Sequence, residues 1–510
     1  MAFTDNRYAI QIMQEVDGGL YDYANMVQTR VHAWIKENGD DRDVIAYDPW
    51  LHTHVQIKSL EDNDVSLKAV GTNLIDNVWI DQPRVPSEPV FSFSDETAGR
   101  TAGDKRKLVA EELVGAGLDA FVIADPQSIA WLLNVRSTDV PCTPLPLSYA
   151  VIYADSSVDW FIAESRVPED VKNRLGSAVS IIAPDTLVQR FAEISEKARV
   201  GLDHKRSPIA FRNFLNQGSC DIVDLKEPCI DIRACKTAVE IAAMKAAHIR
   251  DGRALTKALA WIEEESSKGE LTELIVDAKI REYREATNVL QDVSFETICG
   301  WKSNGAIVHY RVSEKTSLHI QGQGILLLDS GGQYLDGTTH VTRTIALGGE
   351  PTAEQKRNFT LVLKGHIGVA TAVFPEGVTG AQIDMLARRA LWAEGLDYGH
   401  GTGHGVGCYL SVHEEATSIS PRSNDAIKAG MVISNEPGYY KEGEYGIRIE
   451  SLVVVVEMGG TLEDGRQLLG FETITMVPLD ENLIDWHILN DEETRWVRDY
   501  QEKVKKTLGL

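Results

Sequence analysis

The sequence is poor in the features that would place it outside the cell, in a membrane or on nucleic acid. Its six cysteines, Cys142, Cys220, Cys229, Cys235, Cys299 and Cys408, are scattered through 510 residues with no Cys-x-x-Cys pair. Such spacing predicts reduced structural thiols and argues against a disulfide framework or a zinc knuckle. No apolar run reaches the roughly 20 residues of a membrane helix, and no charged-then-apolar leader opens the chain. Basic side chains are in deficit, 51 against 76 acidic ones, for a net charge of −25. An acidic surface of this kind disfavours nucleic acid and anionic membranes and suits a cytoplasmic protein. No phosphate loop and no Gly-x-Ser-x-Gly elbow appears, which weakens nucleotide and serine-hydrolase readings. Low-complexity segments and short repeats are also missing, and the length allows two to four domains.

What is present concentrates between Gly324 and Val456. The run Gly324-Ile325-Leu326-Leu327-Leu328-Asp329-Ser330-Gly331-Gly332 predicts a buried strand that delivers a carboxylate where a turn begins. After the Asp336-Gly337 turn signal, Thr338 to Ile345 alternates in a β-rich pattern, so His340 can face Asp329 across a hairpin. Met431 to Asn435 is a second apolar strand ending on Glu436. Tyr445 to Glu450 begins a third, with Arg448 and Glu450 on one face and Ile447 and Ile449 on the other. His404 sits in the run His400-Gly401-Thr402-Gly403-His404-Gly405-Val406-Gly407. His-x-x-x-His on a helix would suggest a zinc protease, but each interleaved glycine costs a helix roughly 1 kcal/mol relative to alanine, and no glutamate follows His400. Val406 stands where a dinucleotide fingerprint needs its third glycine. Three carboxylates and two imidazoles on strand ends beside glycines suit a borderline-to-hard divalent metal such as manganese, cobalt or zinc. Two bridging carboxylates would suit a pair of metals sharing an activated water.

These motifs resemble the metallopeptidases of the pita-bread fold, and within them the long Xaa-Pro aminopeptidase branch. The resemblance is carried by Leu328 to Tyr334, Gly337 to Thr344, His400 to Gly407, Ser434 to Tyr440 and Tyr445 to Glu450, and it extends over nearly the whole chain. It implies an α/β (α+β) protein with a pita-bread catalytic domain after two creatinase-N-like α/β domains, the first incomplete. It implies metal ligands Asp329, His340, His404, Glu436 and Glu450 around two divalent ions, manganese ahead of zinc or cobalt. It also implies peptide substrates with proline second, released of their first residue, and it admits a homodimer. His309 would line the cleft, and His400 and His413 would bind substrate or stabilise developing charge. Glu436 would double as general base, and Arg448 would orient a carboxylate. The family has aspartate at position 340. A carboxylate offers an oxygen to each of two metals, whereas neutral imidazole offers one nitrogen to one; weakened binding of one ion is therefore expected. The family also places Gly-Pro after its His-Glu pair, where this chain has Glu415-Ala416. A non-catalytic peptide-binding relative and an Xaa-Pro dipeptidase or creatine-type hydrolase are the alternatives.

The rest of the chain divides by composition. Residues 1–85 form a first region that resembles a creatinase-like domain entered partway, as though truncated, with a helix expected over Val27–Asn38. The proline-marked stretch Gln82 to Pro89 leads to a second α/β region, 86–232. Its expected elements are a helix at Gly103–Ala116 and strands at Asp119–Ala124, Leu147–Tyr153 and Ser156–Ala163. Arg136 is weighed there as a cleft residue against a surface ion pair, the second preferred. The third region, 233–510, is expected to hold helices at Ala238–Glu264, after Thr272, at Thr352–Ala372 and at Gly380–Glu394, and a surface helix at Glu492–Leu508.

Overall fold

A computed structural model describes residues 1–40, 42–194, 198–218 and 220–510. The chain forms two compact units, one of Met26–Arg233 and one that joins Met1–Asn25 to Ala234–Leu510. Among the described residues no helix is long and apolar enough to cross a membrane.

The unit of Met26–Arg233 is an α/β structure around a six-stranded mixed sheet. Its strand order is Val179–Ile182, Val158–Phe161, Tyr149–Tyr153, Ala120–Ile123, Arg199–Leu202, Asp221–Asp224. The central strand Ala120–Ile123 is buried on both faces, as expected of an apolar run with helices above and below. Phe161, Phe191 and Phe211 pack edge-on beneath it. The helix expected at Gly103–Ala116 is found at Ala102–Gly115, capped by the Thr101 hydroxyl. The helix expected from Val27 begins only at Val31. Arg136 is buried in this unit, not at the surface; it donates to the carbonyls of Ala130 and Val135 and lies over the Phe93 ring.

The other unit is α+β. A three-stranded antiparallel sheet joins Ile298–Trp301, Gly324–Ser330 and Val341–Leu347, with Asp329 opposite Thr342. A six-stranded sheet runs in the order Val373–Pro375, Gln467–Thr473, Ser451–Thr461, Val432–Asn435, Gly403–Gly405, Glu414–Ile419. Helices Ala238–Ser266, Glu273–Glu285, Ala353–Ala370, Gly380–Trp392 and Asp491–Leu508 belong to the same unit. The first and third start with a capping box, built on Thr237 and Thr352, each worth roughly 0.5–2 kcal/mol over alanine. The last helix lies at the surface as expected, with its charged face exposed, and packs Val497, Tyr500, Val504 and Leu508, an apolar stripe at helical spacing, into the core that holds Ile447 and Ile449.

One buried network fixes the strand that ends in Asp329. Arg284, on the second helix, makes two hydrogen bonds to the Asp251 carboxylate on the first, at 2.7 and 3.1 Å. Its guanidinium also reaches Ser330 Oγ at 3.1 Å, and the Tyr334 hydroxyl donates to Asp251 at 2.7 Å. Two helices and the strand end therefore share one fully buried ion pair. Breaking a buried pair from one side leaves the other charge without compensation. Asp251→Asn is accordingly expected to lower stability by about 3–5 kcal/mol, read as a drop in the denaturant midpoint; an unchanged midpoint would refute the role assigned to the pair.

Candidate metal centre and active site

Five strand ends and turns bring the sequence-predicted residues together. Asp329 closes its strand and His340 immediately precedes the partner strand, so the hairpin brings His340 Nε2 to 3.1 Å from Asp329 Oδ1. The other ring nitrogen, Nδ1, lies 3.1 Å from Glu450 Oε1. His404 sits in the short strand Gly403–Gly405, with its Nε2 3.3 Å from Glu436 Oε1. The glycine beside it is required by packing: a Cβ on Gly403 would meet the Ser434 carbonyl oxygen at 1.9 Å. The rings of His340 and His404 stack with centroids 5.3 Å apart, and His413 approaches His404 edge-on at 4.4 Å. His340, His404 and Glu450 each place one donor atom within 4.8 Å of the others.

Neighbouring groups fix each donor. Ser434 bridges two chain segments: its Oγ accepts from the His404 backbone N–H and donates to Glu436 Oε1, both at 2.9 Å. The Thr342 hydroxyl donates to Glu450 Oε2 at 2.8 Å and accepts from Arg448 Nε at 3.2 Å. Arg448 Nη2 donates to Asp329 Oδ2 at 2.7 Å, and its Nη1 donates to the Tyr440 hydroxyl at 2.7 Å. Tyr440 continues to His400 Nε2 at 2.8 Å, and His400 Nδ1 meets the Gly401 carbonyl at 2.8 Å. A carbonyl only accepts, so His400 Nδ1 carries the proton and Nε2 accepts from Tyr440. His309 Nδ1 meets the Tyr8 hydroxyl at 2.9 Å, which brings the first residues of the chain to the cleft. His413 lies on the exposed side of the site, just before the strand Glu414–Ile419, whose first residue pairs with the buried Lys236. Within that strand Ala416 holds a φ of 126°, in the region that favours glycine.

Electrostatics separate these groups. Burial raises the Asp329 carboxyl, but His340 and Arg448 outweigh it and hold its pKa below the usual range. Burial likewise opposes ionisation of Glu436, and His404, His400 and His340 reverse it. Glu450 moves the other way: burial and the charges of Asp329 and Glu436 push it well up. Burial, followed for His309 by Arg448, lowers His309 and His400 to about 4, so both are neutral near pH 7.

The donor chemistry tests whether a metal fits. His404 Nδ1 lies 2.9 Å from the Gly405 carbonyl and so carries the proton of the neutral ring, which leaves Nε2 as a lone pair aimed at a carboxylate. Buried Asp329 Oδ1, His340 Nδ1, His404 Nε2 and Glu450 Oε1 all lack a hydrogen-bond partner. Opposed acceptors this close are relieved by a proton or a metal ion between them, and Glu436 beside His404 raises the pKa of that imidazole against its burial. Bonds of about 2.0–2.2 Å set adjacent ligand atoms a little over ~3 Å apart, close to the spacing of the His340–Glu450 and His404–Glu436 pairs. The residues fit a divalent ion at His340, His404 and Glu450, with Glu436 beside His404.

Some of these contributors were not singled out from the sequence. Thr342, Ser434 and Tyr440 lie inside the quoted motifs but had no role there, and Tyr8 had none either. Ser434, two residues before Glu436 on the same strand face, was the readable signal.

Comparison with known proteins defines the class first. Residues 242–457 match metallopeptidase family M24, residues 467–510 the C-terminal region of that family, and residues 81–240 the creatinase/prolidase N-terminal domain. Within this class the chain belongs to the Xaa-Pro aminopeptidase P family. It is 38% identical over 531 residues to a probable Xaa-Pro aminopeptidase P of Paracoccidioides brasiliensis, covering 99% of this chain and 86% of that protein. A counterpart from Ajellomyces capsulatus is 37% identical over 528 residues, with 98% and 85% covered. The crystal structure of X-prolyl aminopeptidase from Caenorhabditis elegans, described as a cytosolic enzyme with a di-nuclear active site, superposes with a TM-score of 0.94 at 32% identity, covering 99% of this chain and 84% of that one. X-Pro aminopeptidase from Thermotoga maritima shares the fold at a TM-score of 0.59 and 22% identity, over 74% and 99% of the two chains.

His366 ties the helix Ala353–Ala370 to this site. Its Nδ1 meets the Asn435 carbonyl at 3.1 Å, and Asn435 Nδ2 donates back to the His366 carbonyl at 2.9 Å. Burial, then Arg343, lowers its pKa from 6.5 to about 3. The unfolded chain thus takes up a proton near pH 6.5 that the folded chain refuses until about pH 3. Stability present above pH 6.5 is therefore lost as pH falls through that window. His366→Asn keeps a donor and cannot titrate, so its stability should fall less steeply between pH 6.5 and 3; equal slopes for both proteins would contradict this assignment.

Proposed function

We propose that this protein is a metal-dependent aminopeptidase that releases the first residue of peptides with proline in second position. The observation that carries the reading is the convergence of Asp329, His340, His404, Glu436 and Glu450 on one cleft, in a chain of the Xaa-Pro aminopeptidase P family. A divalent ion held there, manganese, zinc or cobalt by donor type, supplies an acidified water and polarises the scissile carbonyl. Glu436, ionised and gripped through Oε1 by Ser434, has Oε2 left to take and pass on a proton. His309 and His400, neutral at working pH, serve as hydrogen-bonding groups for the peptide and add no charge to the cleft. Arg448 holds Asp329 and, through Tyr440, the orientation of His400. We place the protein in the cytoplasm, as the nematode relative is described.

One observation favours a second reading, a peptide-binding relative without turnover: both nitrogens of His340 face carboxylates that would otherwise be available to metal. Hydrolysis separates the two. The metal-loaded protein should cleave an Xaa-Pro-Xaa tripeptide after its first residue and leave an Xaa-Pro dipeptide intact. Glu436→Gln should lower kcat/KM by about 10²–10⁴. Binding of the tripeptide with no cleavage would move the protein to the second reading, and preferential cleavage of the dipeptide would make it a dipeptidase.

A further inference from the structure

The geometry points to a centre that holds one divalent ion per chain, with Asp329 acting not as a ligand but as the carboxylate that orients His340. The inference rests on the metal-dependent reading above and says which residues that ion uses.

His340 decides the count. A neutral imidazole has one N–H and one lone pair. Its Nε2 faces Asp329 Oδ1 and its Nδ1 faces Glu450 Oε1, each at 3.1 Å. His340, His404 and Glu450 gather donor atoms within 4.8 Å of one another, and it is Nδ1 that faces Glu450. The lone pair belongs on that side, with the ion, and the N–H then points to Asp329. Asp329 Oδ2 already accepts from Arg448 at 2.7 Å, and its Oδ1, otherwise without a partner, has His340 Nε2 3.1 Å away. A metal-bound histidine whose other nitrogen donates to a carboxylate is held in one tautomer and one ring orientation, and its ligand nitrogen becomes more basic.

Charge gives the same count independently. Asp329, Glu436 and Glu450 bring three negative charges, and Arg448 brings one positive charge that is never lost. One divalent ion makes the cluster neutral. A second would leave two positive charges among groups that are almost wholly buried, Asp329 at 3%, Arg448 at 1% and Glu450 at 0% exposure, where an uncompensated charge is costly. It would also have to sit beside the Arg448 guanidinium. The remaining Glu450 oxygen, Oε2, accepts from Thr342. Imidazole at 340 therefore closes the Asp329 side of the centre to metal while completing the other side.

The test counts manganese. Chelator-treated full-length protein is loaded with Mn2+, desalted, and analysed for bound metal and by electron paramagnetic resonance. The expected result is one Mn2+ per chain with the six-line spectrum of an isolated ion. His340→Asp should take two, with the broadened signal of exchange-coupled ions. Asp329→Asn should keep one equivalent with Kd raised about 10–100-fold, as for a positioning residue. Two equivalents in the unaltered protein, or complete loss of metal in Asp329→Asn, would overturn the inference. A single equivalent in His340→Asp would overturn the role given to His340. Tripeptide hydrolysis is followed on the same samples: one bound Mn2+ without cleavage would sink the aminopeptidase reading and leave the metal count standing.

Discussion

The second unit is organised around one constraint: three carboxylates, Asp329, Glu436 and Glu450, must be held against two imidazoles in a largely buried cleft. Like charges gathered there repel strongly in a low-dielectric site, and each also loses its hydration. The protein answers with a fixed set of counter-groups. Arg448 is aimed at Asp329, Thr342 at Glu450, Ser434 at Glu436, and the two imidazoles stand between them. The opposite displacements of Asp329 and Glu436, held ionised, and of Glu450, pushed up, show that the compensation is uneven. Glu450 is left with the least local positive charge, and that is where a cation gains most.

Holding those groups in register falls to the surrounding scaffold. Arg343 illustrates the method. Its guanidinium donates to the backbone carbonyls of Thr342 and Glu450 and to those of Val477 and Pro478, with a further bond to the Tyr500 hydroxyl on the last helix. One planar, permanently charged fork thus ties a ligand-bearing strand, the segment carrying Glu450 and the C-terminal stretch together. His366 does the same for the strand ending at Glu436, and the Arg284–Asp251 pair for the strand ending at Asp329. Each carboxylate therefore has a buried polar tether behind its own strand.

Much of this was legible because strand ends write themselves clearly. An apolar run closing on Asp329 or Glu436 beside glycine fits the end of a buried strand and little else, and the alternation through Ile447, Arg448, Ile449 and Glu450 separates core face from cleft face. The glycine run around His404 was readable as non-helical because glycine penalises a helix, and the structure makes it a strand. What stayed hidden depends on distance along the chain. Tyr8 and His309 lie 301 residues apart, and no local pattern joins them. Arg136 was assigned by its charge to the surface, yet backbone carbonyls and a Phe93 face satisfy it inside. The last helix lies at the surface as expected, and its periodicity marks the one face it buries, Val497, Tyr500, Val504 and Leu508.

Position 340 shows why fold and chemistry can part company. The hairpin needs only a side chain that fits beneath Phe295, whose ring lies 4.6 Å from the imidazole, and that bonds to carboxylates on either side. Histidine meets that demand, so the strands, the tethers and the other ligands stay in place. The change it makes is in charge and valence: one negative charge fewer, and a donor that reaches a single ion on one side while its other nitrogen belongs to Asp329. A packing criterion cannot register that difference, because both residue types occupy the site. Only counting lone pairs and charges around the cleft does, and that count ties the number of ions to a single residue.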